Sequence, residues 1–269
     1  MTAVRPPSGS PARPARGGLA RGGLARGGLA RGVGILHQRR VWTRRAVSWD
    51  HADNPSLDRV VAAILALAGC HAGMSAVDLG AGSGQLTIPL ARRVGHVLAL
   101  DISPAMVDLL RANAASAGVT NIETRVGPIE GIDLPPASVD LVVSNYALHH
   151  LRDPDKARAV RTAVTWLRPD GRVVIGDMMF GRGASARDRA IIASKATSLL
   201  RRGPGGWWRV GKNAVRFLAR VQERPLAVGR WVELLLEAGL SPVSAAPVVA
   251  EAAIVSGTLP PADPAPPGM

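Results

Sequence analysis

The feature that most constrains this chain of 269 residues is an alternation of short apolar runs with helical stretches between residues 75 and 176. The runs are five or six residues long, which is typical of buried strands. Strands that alternate with helices at this interval predict right-handed βαβ units and a parallel sheet, so the predicted fold class is α/β. After a gap of about fifty residues the alternation resumes with one helix and two strands. The predicted strands are Ser75–Leu79, His96–Asp101, Ile122–Val126, Asp140–Ser144, Arg172–Gly176, Ser241–Ala245 and Ala250–Ser256.

The predicted helices lie between these strands and carry end signals. Asn54 and Pro55 begin the first helix, which has apolar residues at i, i+3, i+4 and i+7 and ends at Gly69. Ser103 is placed to cap the helix that ends before Gly118. The remaining predicted helices are Gln85–Val94, Pro104–Ala117, Pro154–Leu167 and Arg230–Ala238.

The formal net charge of +13 is concentrated in two segments. Residues 1–45 hold ten Arg and no acidic residue, and residues 181–230 hold twelve basic residues against two acidic ones. Residues 46–180, which contain the alternating pattern, hold eleven basic and fourteen acidic residues. A basic charge spread over the fold would indicate nucleic acid, whereas its restriction to two appendages argues against nucleic acid as the partner of the core.

The first basic segment contains the repeat Arg-Gly-Gly-Leu-Ala, which runs from Arg16 to about Gly32. A period of five residues matches neither a helix nor a strand, and glycine raises the entropy cost of a fixed backbone. We therefore expect residues 1–45 to form a disordered basic arm. The alternative of an RNA-binding arm is weakened because the repeat has no aromatic side chain to stack on a base.

The chain is thus expected to consist of five segments. After the arm come a core at residues 46–180, a basic helical insert at 181–230, the last helix and two strands at 231–256, and a Pro-rich tail at 257–269. No membrane span or signal peptide is indicated, which predicts a cytoplasmic protein. The single Cys70 and six His show no metal-ligand spacing, so no metal site is expected.

A strand, a glycine-rich turn and the start of a helix meet at Asp78-Leu79-Gly80-Ala81-Gly82-Ser83-Gly84. An open α/β sheet binds nucleotides at such a place, because glycines let a ligand approach the backbone. A dinucleotide turn would need a third glycine at Gln85, and the carboxylate of Asp78 repels an anionic pyrophosphate. The same carboxylate favours a cationic ligand. S-adenosylmethionine, which carries an ammonium and a sulfonium group, fits these requirements.

Asp101 ends the second predicted strand, twenty-one residues beyond Gly80. An acidic side chain at this position accepts hydrogen bonds from both ribose hydroxyls of an adenosine. An aspartate at a strand end also caps the next helix in many proteins, and Ser103 competes for that task. Together with the glycine turn, Asp101 indicates an adenosine-containing cofactor.

These residues resemble the class I S-adenosylmethionine-dependent methyltransferases, specifically the small-molecule branch that includes the ubiquinone and menaquinone C-methyltransferases. The similarity covers roughly residues 42–180 and the last two strands. Beyond the glycine turn it rests on the segments Leu100–Ser103, Ser138–Leu151 and Leu167–Arg172. The resemblance implies a Rossmann-like sheet of seven strands, mostly parallel with the last one antiparallel, and helices on both faces.

The resemblance also implies which residues hold S-adenosylmethionine. Asp78 and the glycine turn face its methionine part, and Asp101 holds the ribose. The full set of expected cofactor contacts is Asp78, Gly80, Gly82, Gly84, Asp101, Ile102, Pro128, Ile129, Ser144 and Asn145.

The loop expected to lie against the adenine is Gly127-Pro128-Ile129-Glu130. Pro128 stands where the family commonly has an aspartate, so this loop loses both a carboxylate and a backbone donor. Recognition of the adenine then rests on the packing of Ile129 and on its backbone, with Glu130 as a further candidate.

Tyr146, His149 and His150 follow the fourth predicted strand and are the candidate catalytic residues. Methyl transfer from a sulfonium is an in-line displacement, so the protein mainly aligns the acceptor and excludes water, and a base is optional. Either histidine could accept a proton near neutral pH, or the pair could simply pack under the next helix. The segment lacks the prolines typical of enzymes that methylate exocyclic amines of nucleic acid bases or glutamine.

Candidate substrate contacts lie in two places. Trp49 precedes the first helix, where the resemblance implies a lid, although Trp42 and Trp49 could equally share one apolar helix face. In the insert at 181–230, Trp207 precedes an apolar stripe that includes Phe217. Such a helix can cover an apolar pocket, pack on a second subunit or lie on an anionic membrane surface.

The sequence therefore predicts an S-adenosylmethionine-dependent methyltransferase, monomeric or homodimeric, that acts on a small apolar metabolite such as a quinone, lipid or polyketide-like molecule. One alternative is an RNA or protein methyltransferase that holds its substrate with the basic segments. Another is a cofactor-binding subunit without catalytic activity. The sequence does not separate carbon, oxygen and nitrogen as the acceptor atom.

Overall fold

The computed structural model describes residues 36, 38–44, 55–181, 186, 188–190, 193, 197 and 224–261. The chain divides into two compact units, residues 1–38 and 39–269. The two described residues of the first unit are both helical. Trp49, Trp207 and Phe217 lie outside the described residues, as do most of both basic segments and the end of the tail, so the expectations for them stay predictions.

The second unit consists of one sheet with flanking helices. Its strands are β1 (Ser75–Leu79), β2 (His96–Asp101), β3 (Ile122–Val126), β4 (Val139–Asn145), β5 (Leu167–Met178), β6 (Val243–Pro247) and β7 (Ala252–Thr258). Its described helices are α1 (residues 39–44), α2 (Pro55–Leu67), α3 (Thr87–Ala91), α4 (Pro104–Ser116), α5 (Asp153–Trp166) and α6 (Val228–Glu237). Two short 3₁₀ turns, Ile129–Gly131 and Leu148–His150, follow β3 and β4.

The strands lie in the order β3-β2-β1-β4-β5-β7-β6. Strands β1 to β5 run parallel to one another, and β7 lies antiparallel between β5 and β6. The α/β class and the seven-stranded, mostly parallel sheet are therefore confirmed. The order reverses at β1, which pairs with both β2 and β4, and a crevice at such a switch point is where open α/β sheets bind ligands.

Side chains of successive residues in the strands alternate between two apolar clusters, one on each face of the sheet. Val77 and Leu79 of β1 join the cluster that contains Trp166 of α5 and Trp231 of α6. Ala76 joins the cluster under α2 and α3 on the other face. The sheet is thus buried on both sides, which leaves the strand ends as the place for a site. Among the described helices, none has the length and apolar character needed to cross a membrane.

Most helices and several strands differ by one or more residues from their predicted bounds, and three of the differences have a clear physical reason. The helix expected at Gln85–Val94 is shortened to α3, because the glycine turn continues through residue 86 before the helix begins. Strand β6 starts after Pro242, which has no N–H to give to a ladder. Strand β5 continues two residues beyond the predicted end at Gly176, because its last residues pair with the distant β7.

Candidate functional site

The carboxyl ends of β1, β2, β4 and β5 meet along one edge of the sheet, and the loops that follow them touch each other. The backbone N–H groups of Gly80 and Ala81 both donate to the carbonyl oxygen of Leu100, at 2.8 Å each. Gly80 has φ +80°, and a Cβ atom added to it would lie 2.2 Å from the Cβ of Ala147. Only glycine fits here, so the turn after β1 packs directly against the loop after β4.

Asp78 lies buried under this turn and keeps one oxygen without a partner. Its Oδ2 accepts a hydrogen bond from the Thr87 hydroxyl at 2.7 Å, whereas its buried Oδ1 has no hydrogen-bond partner among the described residues. Burial raises the pKa of Asp78 to about 7, although the Thr87 bond opposes the rise, and the nearby charge of Asp101 adds to it. An orphaned carboxylate oxygen is a fitting partner for the ammonium group of S-adenosylmethionine.

Asp101 ties the glycine turn to the start of α4. Its Oδ2 accepts from the Gly82 N–H at 2.9 Å, and its Oδ1 accepts from the Ser103 N–H at 2.8 Å. Burial raises the pKa of this carboxyl, while the amide hydrogen bonds from Ser103, Gly82 and Ile102 act in the opposite direction. Each oxygen of a carboxylate has a second lone pair, so ribose hydroxyls fit as further donors.

Asp101 and Ser103 have different roles at the start of α4. The hydroxyl of Ser103 caps α4 by accepting from the Met106 N–H at 3.3 Å, as predicted. Asp101 instead holds the backbone of Ser103 and the glycine turn. The fold alone therefore requires a carboxylate at this position.

The loop expected to contact the adenine follows β3 closely. The N–H of Gly127 donates to the carbonyl oxygen of Asp101 at 2.9 Å, so this loop starts next to Asp101. Pro128 precedes the 3₁₀ turn, and half-buried Ile129 packs against the main apolar cluster. Ile102, which follows β2, is also half-buried beside Asp101. Together, Ile102 and Ile129 offer mainly apolar contact at this end of the crevice.

Ser144 and Asn145, at the end of β4, differ in how their polar atoms are used. The buried hydroxyl of Ser144 donates to the carbonyl oxygen of Leu79 at 2.8 Å, which ties β4 to the glycine turn. The Oδ1 of Asn145 is buried and has no hydrogen-bond partner among the described residues. Of the two, Asn145 has the acceptor that a cofactor could use.

Tyr146 occupies the left-handed region with φ +50°, an uncommon conformation for a bulky residue. Its N–H donates to the carbonyl oxygen of Gly176 at 2.9 Å, and its half-buried ring packs on Met178 and Phe180. Burial raises the pKa of the Tyr146 phenol, and the negative charges of Glu251 and Asp177 raise it further. The phenol therefore stays protonated at neutral pH and is suited to donate a hydrogen bond rather than to accept a proton.

His149 is buried and held by Asp177, the penultimate residue of β5. Its Nδ1 lies 2.5 Å from Asp177 Oδ1, and its backbone N–H donates to Oδ2 at 2.8 Å. Burial alone would raise the pKa of Asp177, but the imidazole of His149, its hydrogen bonds and the N–H of Met178 hold it below the ordinary value. Asp177 is thus a carboxylate at neutral pH, whose Oδ1 accepts a hydrogen bond from the Nδ1–H of His149.

His150 lies beside His149, with ring centroids 3.9 Å apart, and faces the amino-terminal helix. The indole of Trp42 in α1 meets the His150 ring edge-on at a centroid distance of 5.1 Å. The hydroxyl of Thr43 lies 3.1 Å from that of Ser103, on the other side of the crevice. Helix α1 therefore contacts both the β2 end and the β4 end of the site.

The structure brings together the predicted residues of β1, β2 and β4 and adds three that the sequence analysis missed. Asp177 could have been found, because it stands at a strand end as Asp78 and Asp101 do. The other two are Thr43 and Lys156, a buried lysine of α5 whose Nζ donates to the carbonyl oxygen of Arg224. No sequence pattern around either residue indicates a role. No group of three or more His, Cys, Asp or Glu in the described residues is arranged to hold a metal ion.

Comparisons with known proteins identify the family of this chain. A model of a methyltransferase domain matches residues 76–171, the segment from β1 into β5. The chain is 30% identical over 159 residues to the protein YafE of Escherichia coli, covering 57% of this chain and 75% of YafE. It is 30% identical over 133 residues to phosphoethanolamine N-methyltransferase 1 of Triticum aestivum, covering 46% of this chain and 25% of the wheat protein.

Among solved structures, an S-adenosylmethionine-dependent methyltransferase from Aquifex aeolicus shares the fold with a TM-score of 0.54 and 19% identity, covering 77% of this chain and 94% of the other. The chain spans a quarter to just over half of the length of several curated relatives. It belongs to the class I S-adenosylmethionine-dependent methyltransferases, and the orphaned oxygen of Asp78 and the open space at Gly82 in the glycine turn fit S-adenosylmethionine as its cofactor.

Proposed function

We propose that this protein transfers the methyl group of S-adenosylmethionine to a small molecule with an apolar body and an acceptor atom that loses a proton. This places it in the small-molecule branch similar to the ubiquinone and menaquinone C-methyltransferases. The observation that carries the proposal is the buried pair of His149 and Asp177 at the carboxyl edge of the sheet, beside the glycine turn.

The cofactor side of the proposal rests on the two buried aspartates. Asp78 receives the ammonium group with its free oxygen, and Asp101 receives the ribose hydroxyls. Ile129 and the backbone around Pro128 pack against the adenine, and Asn145 adds an acceptor near the methionine part. When bound, S-adenosylmethionine supplies an electrophilic methyl group on a positively charged sulfur.

His149 is the base in this proposal. Because Asp177 accepts from Nδ1–H, the neutral imidazole has its lone pair on Nε2. Nε2 has no hydrogen bond to any described residue, and it is the atom left to take a proton. Nε2 would take the proton that the acceptor atom loses when it is methylated.

The side chains around this base favour an apolar acceptor. Tyr146 packs with Met178 and Phe180 next to the His149 ring, at a Tyr146–His149 centroid distance of 6.3 Å. Among the described residues, the charges that act on the Tyr146 phenol are those of Asp177 and Glu251, both negative. An acceptor with a phosphate would be repelled there, so a quinone, lipid or polyketide-like molecule fits better than a phosphate ester or an RNA backbone.

Incubation with methyl-labelled S-adenosylmethionine tests the proposal. The protein is given separate small-molecule, RNA and protein fractions of a cell extract, and the labelled product is identified. We expect the label in an apolar small molecule, and we expect His149→Gln to lose activity by a factor of about 10² to 10⁴.

The matched control is His150→Gln, which changes the neighbouring imidazole but leaves the pair with Asp177 intact. Label in RNA or protein that disappears when residues 1–32 are deleted, which leaves α1 in place, would favour the alternative of a macromolecular substrate. Tight binding of S-adenosylmethionine with no transfer to any fraction would favour a cofactor-binding subunit without activity.

A further inference from the structure

Lys156 in α5 is a fully buried lysine, and a buried charge needs partners. Its Nζ donates to Asp153 Oδ1 at 3.0 Å, one turn earlier in the helix. It also donates to the backbone carbonyl oxygen of Arg224 at 2.5 Å. The second bond crosses from α5 to the segment that precedes α6, which is 68 positions away along the chain.

Arg224 connects this lysine to the proposed base. Its backbone N–H donates to the carbonyl oxygen of His149 at 2.7 Å. Both main-chain polar groups of Arg224 are therefore engaged, one with Lys156 and one with His149. The three residues form a continuous chain of hydrogen bonds from the core of α5 to the 3₁₀ turn after β4.

These hydrogen bonds complete the set of contacts that hold His149 in place. Asp177 holds the backbone N–H and Nδ1 of His149, and Arg224 holds its carbonyl oxygen. Nε2 is then the one polar atom of His149 without a hydrogen bond to a described residue. With its backbone held at two points and its ring held at Nδ1, His149 aims Nε2 in one direction, which is what a base in an in-line displacement requires.

We propose that Lys156 is a positioning residue for methyl transfer, which acts through the backbone of Arg224 to set the orientation of His149. The inference rests on the proposed role of His149 as the base. Without the lysine, the carbonyl oxygen of Arg224 loses a charged donor, and the segment that holds His149 can shift. Misplacement of a reacting group by about 1 Å lowers a rate by as much as about a hundredfold.

Two variants break the chain of hydrogen bonds at different points. Lys156→Met removes the donor and keeps an unbranched side chain of similar length in the buried position. Arg224→Pro removes the N–H that donates to His149 while it leaves Lys156 unchanged. The matched controls are Arg224→Ala, which keeps that N–H, and Arg161→Gln, which removes an exposed charge from the same helix.

Three quantities are measured for each folded variant. The first is kcat at saturating acceptor, and the second is the affinity for S-adenosylmethionine by calorimetry. The third is the proton resonance of His149 Nδ1–H in protein labelled with ¹⁵N-histidine, which is assigned by its absence in His149→Gln. We expect both Lys156→Met and Arg224→Pro to lower kcat by about tenfold to a hundredfold. Cofactor affinity should stay within about twofold, and the Nδ1–H resonance should broaden or disappear.

A lysine that only stabilises the fold would give a different result. Lys156→Met would then lower the melting temperature, while kcat per folded molecule and the Nδ1–H resonance would match those of the parent protein. That result, or equal losses in Arg224→Ala and Arg224→Pro, overturns the inference. The resonance needs no acceptor, so a failure of the proposed function, seen as absence of methyl transfer by the parent protein, is distinguished from a failure of the positioning role.

Discussion

The two halves of the carboxyl edge use their polar groups in opposite ways. At β1 and β2, the carboxylates of Asp78 and Asp101 keep acceptor capacity after their bonds to the described residues have been made. Beside β4 and β5, the carboxylate of Asp177 and the backbone N–H of Arg224 are used to hold one residue, His149. The first half is arranged to receive a cation and hydroxyl groups, and the second to present a single nitrogen. Binding and transfer should therefore respond to different substitutions.

The largest difference between the effect on methyl transfer and the effect on cofactor binding is expected from Asp177→Asn. Every described partner of Asp177 is a donor, so the amide must point its own NH₂ at an N–H of His149 or Met178. If the NH₂ faces Nδ1, the proton moves to Nε2 and the base is lost. We expect kcat to fall by a factor of about 10² to 10⁴, with little change in cofactor affinity. Asp170→Asn, on an exposed part of the same strand, is the control.

The opposite response is expected from Asp101→Ala. We expect the affinity for S-adenosylmethionine to fall by about 1.5 to 3 kcal/mol, the range for hydrogen bonds to a charged group. Calorimetry measures the effect. Asp108→Ala, which removes an exposed carboxylate from α4, should bind normally. Equal affinities in both variants would remove Asp101 from the ribose site.

The pH dependence of S-adenosylmethionine binding tests the role of Asp78 in the first half of the site. Because burial raises the pKa of Asp78 to about 7, this carboxyl is protonated below that pH in the cofactor-free protein and must lose its proton to accept the ammonium. Affinity should therefore fall about tenfold per pH unit below pH 7 and level off above it. Titrations in buffers of different ionisation enthalpy should show a proton released at pH 6. A pH-independent affinity in the parent protein would contradict this role, and Asp78→Asn should abolish the dependence.

The smallest effect is expected from deletion of residues 1–32, because a glycine-rich repeat of period five contributes no helix or strand to the core. Cofactor affinity and turnover on a small acceptor should both stay within about twofold of the full chain. A loss of turnover would show that the basic arm takes part in substrate binding.

The cofactor half could be predicted from the sequence because its contacts are local. Gly82 and Asp101, whose hydrogen bond joins the turn to β2, are 19 positions apart, and Asp78 and Thr87 are 9 apart. A strand, a glycine turn and the next strand end form one βαβ unit, so their spacing is visible in the sequence. Even there, the sequence did not reveal that the hydroxyl of Ser144, an expected cofactor contact, donates to the carbonyl oxygen of Leu79.

The acceptor half could be predicted only in part, because distant segments build it. The sequence singled out His149, but its partner Asp177 is 28 positions away and lay beyond the predicted end of β5. That strand is longer than its apolar run because Asp177 pairs with Ala253 of β7. The bond between Lys156 and Arg224 crosses 68 positions and depends on how the chain returns to the sheet, for which no local pattern exists.

The most direct test of the division between the two halves is a paired measurement on His149→Gln. Binding of S-adenosylmethionine is measured by calorimetry, and single-turnover methyl transfer is measured in the same preparation with the cofactor saturating. We expect an affinity within about twofold of the parent protein and a transfer rate lower by about 10² or more. Full transfer activity would show that His149 is not the base, and lost cofactor binding would show that the two halves are one site.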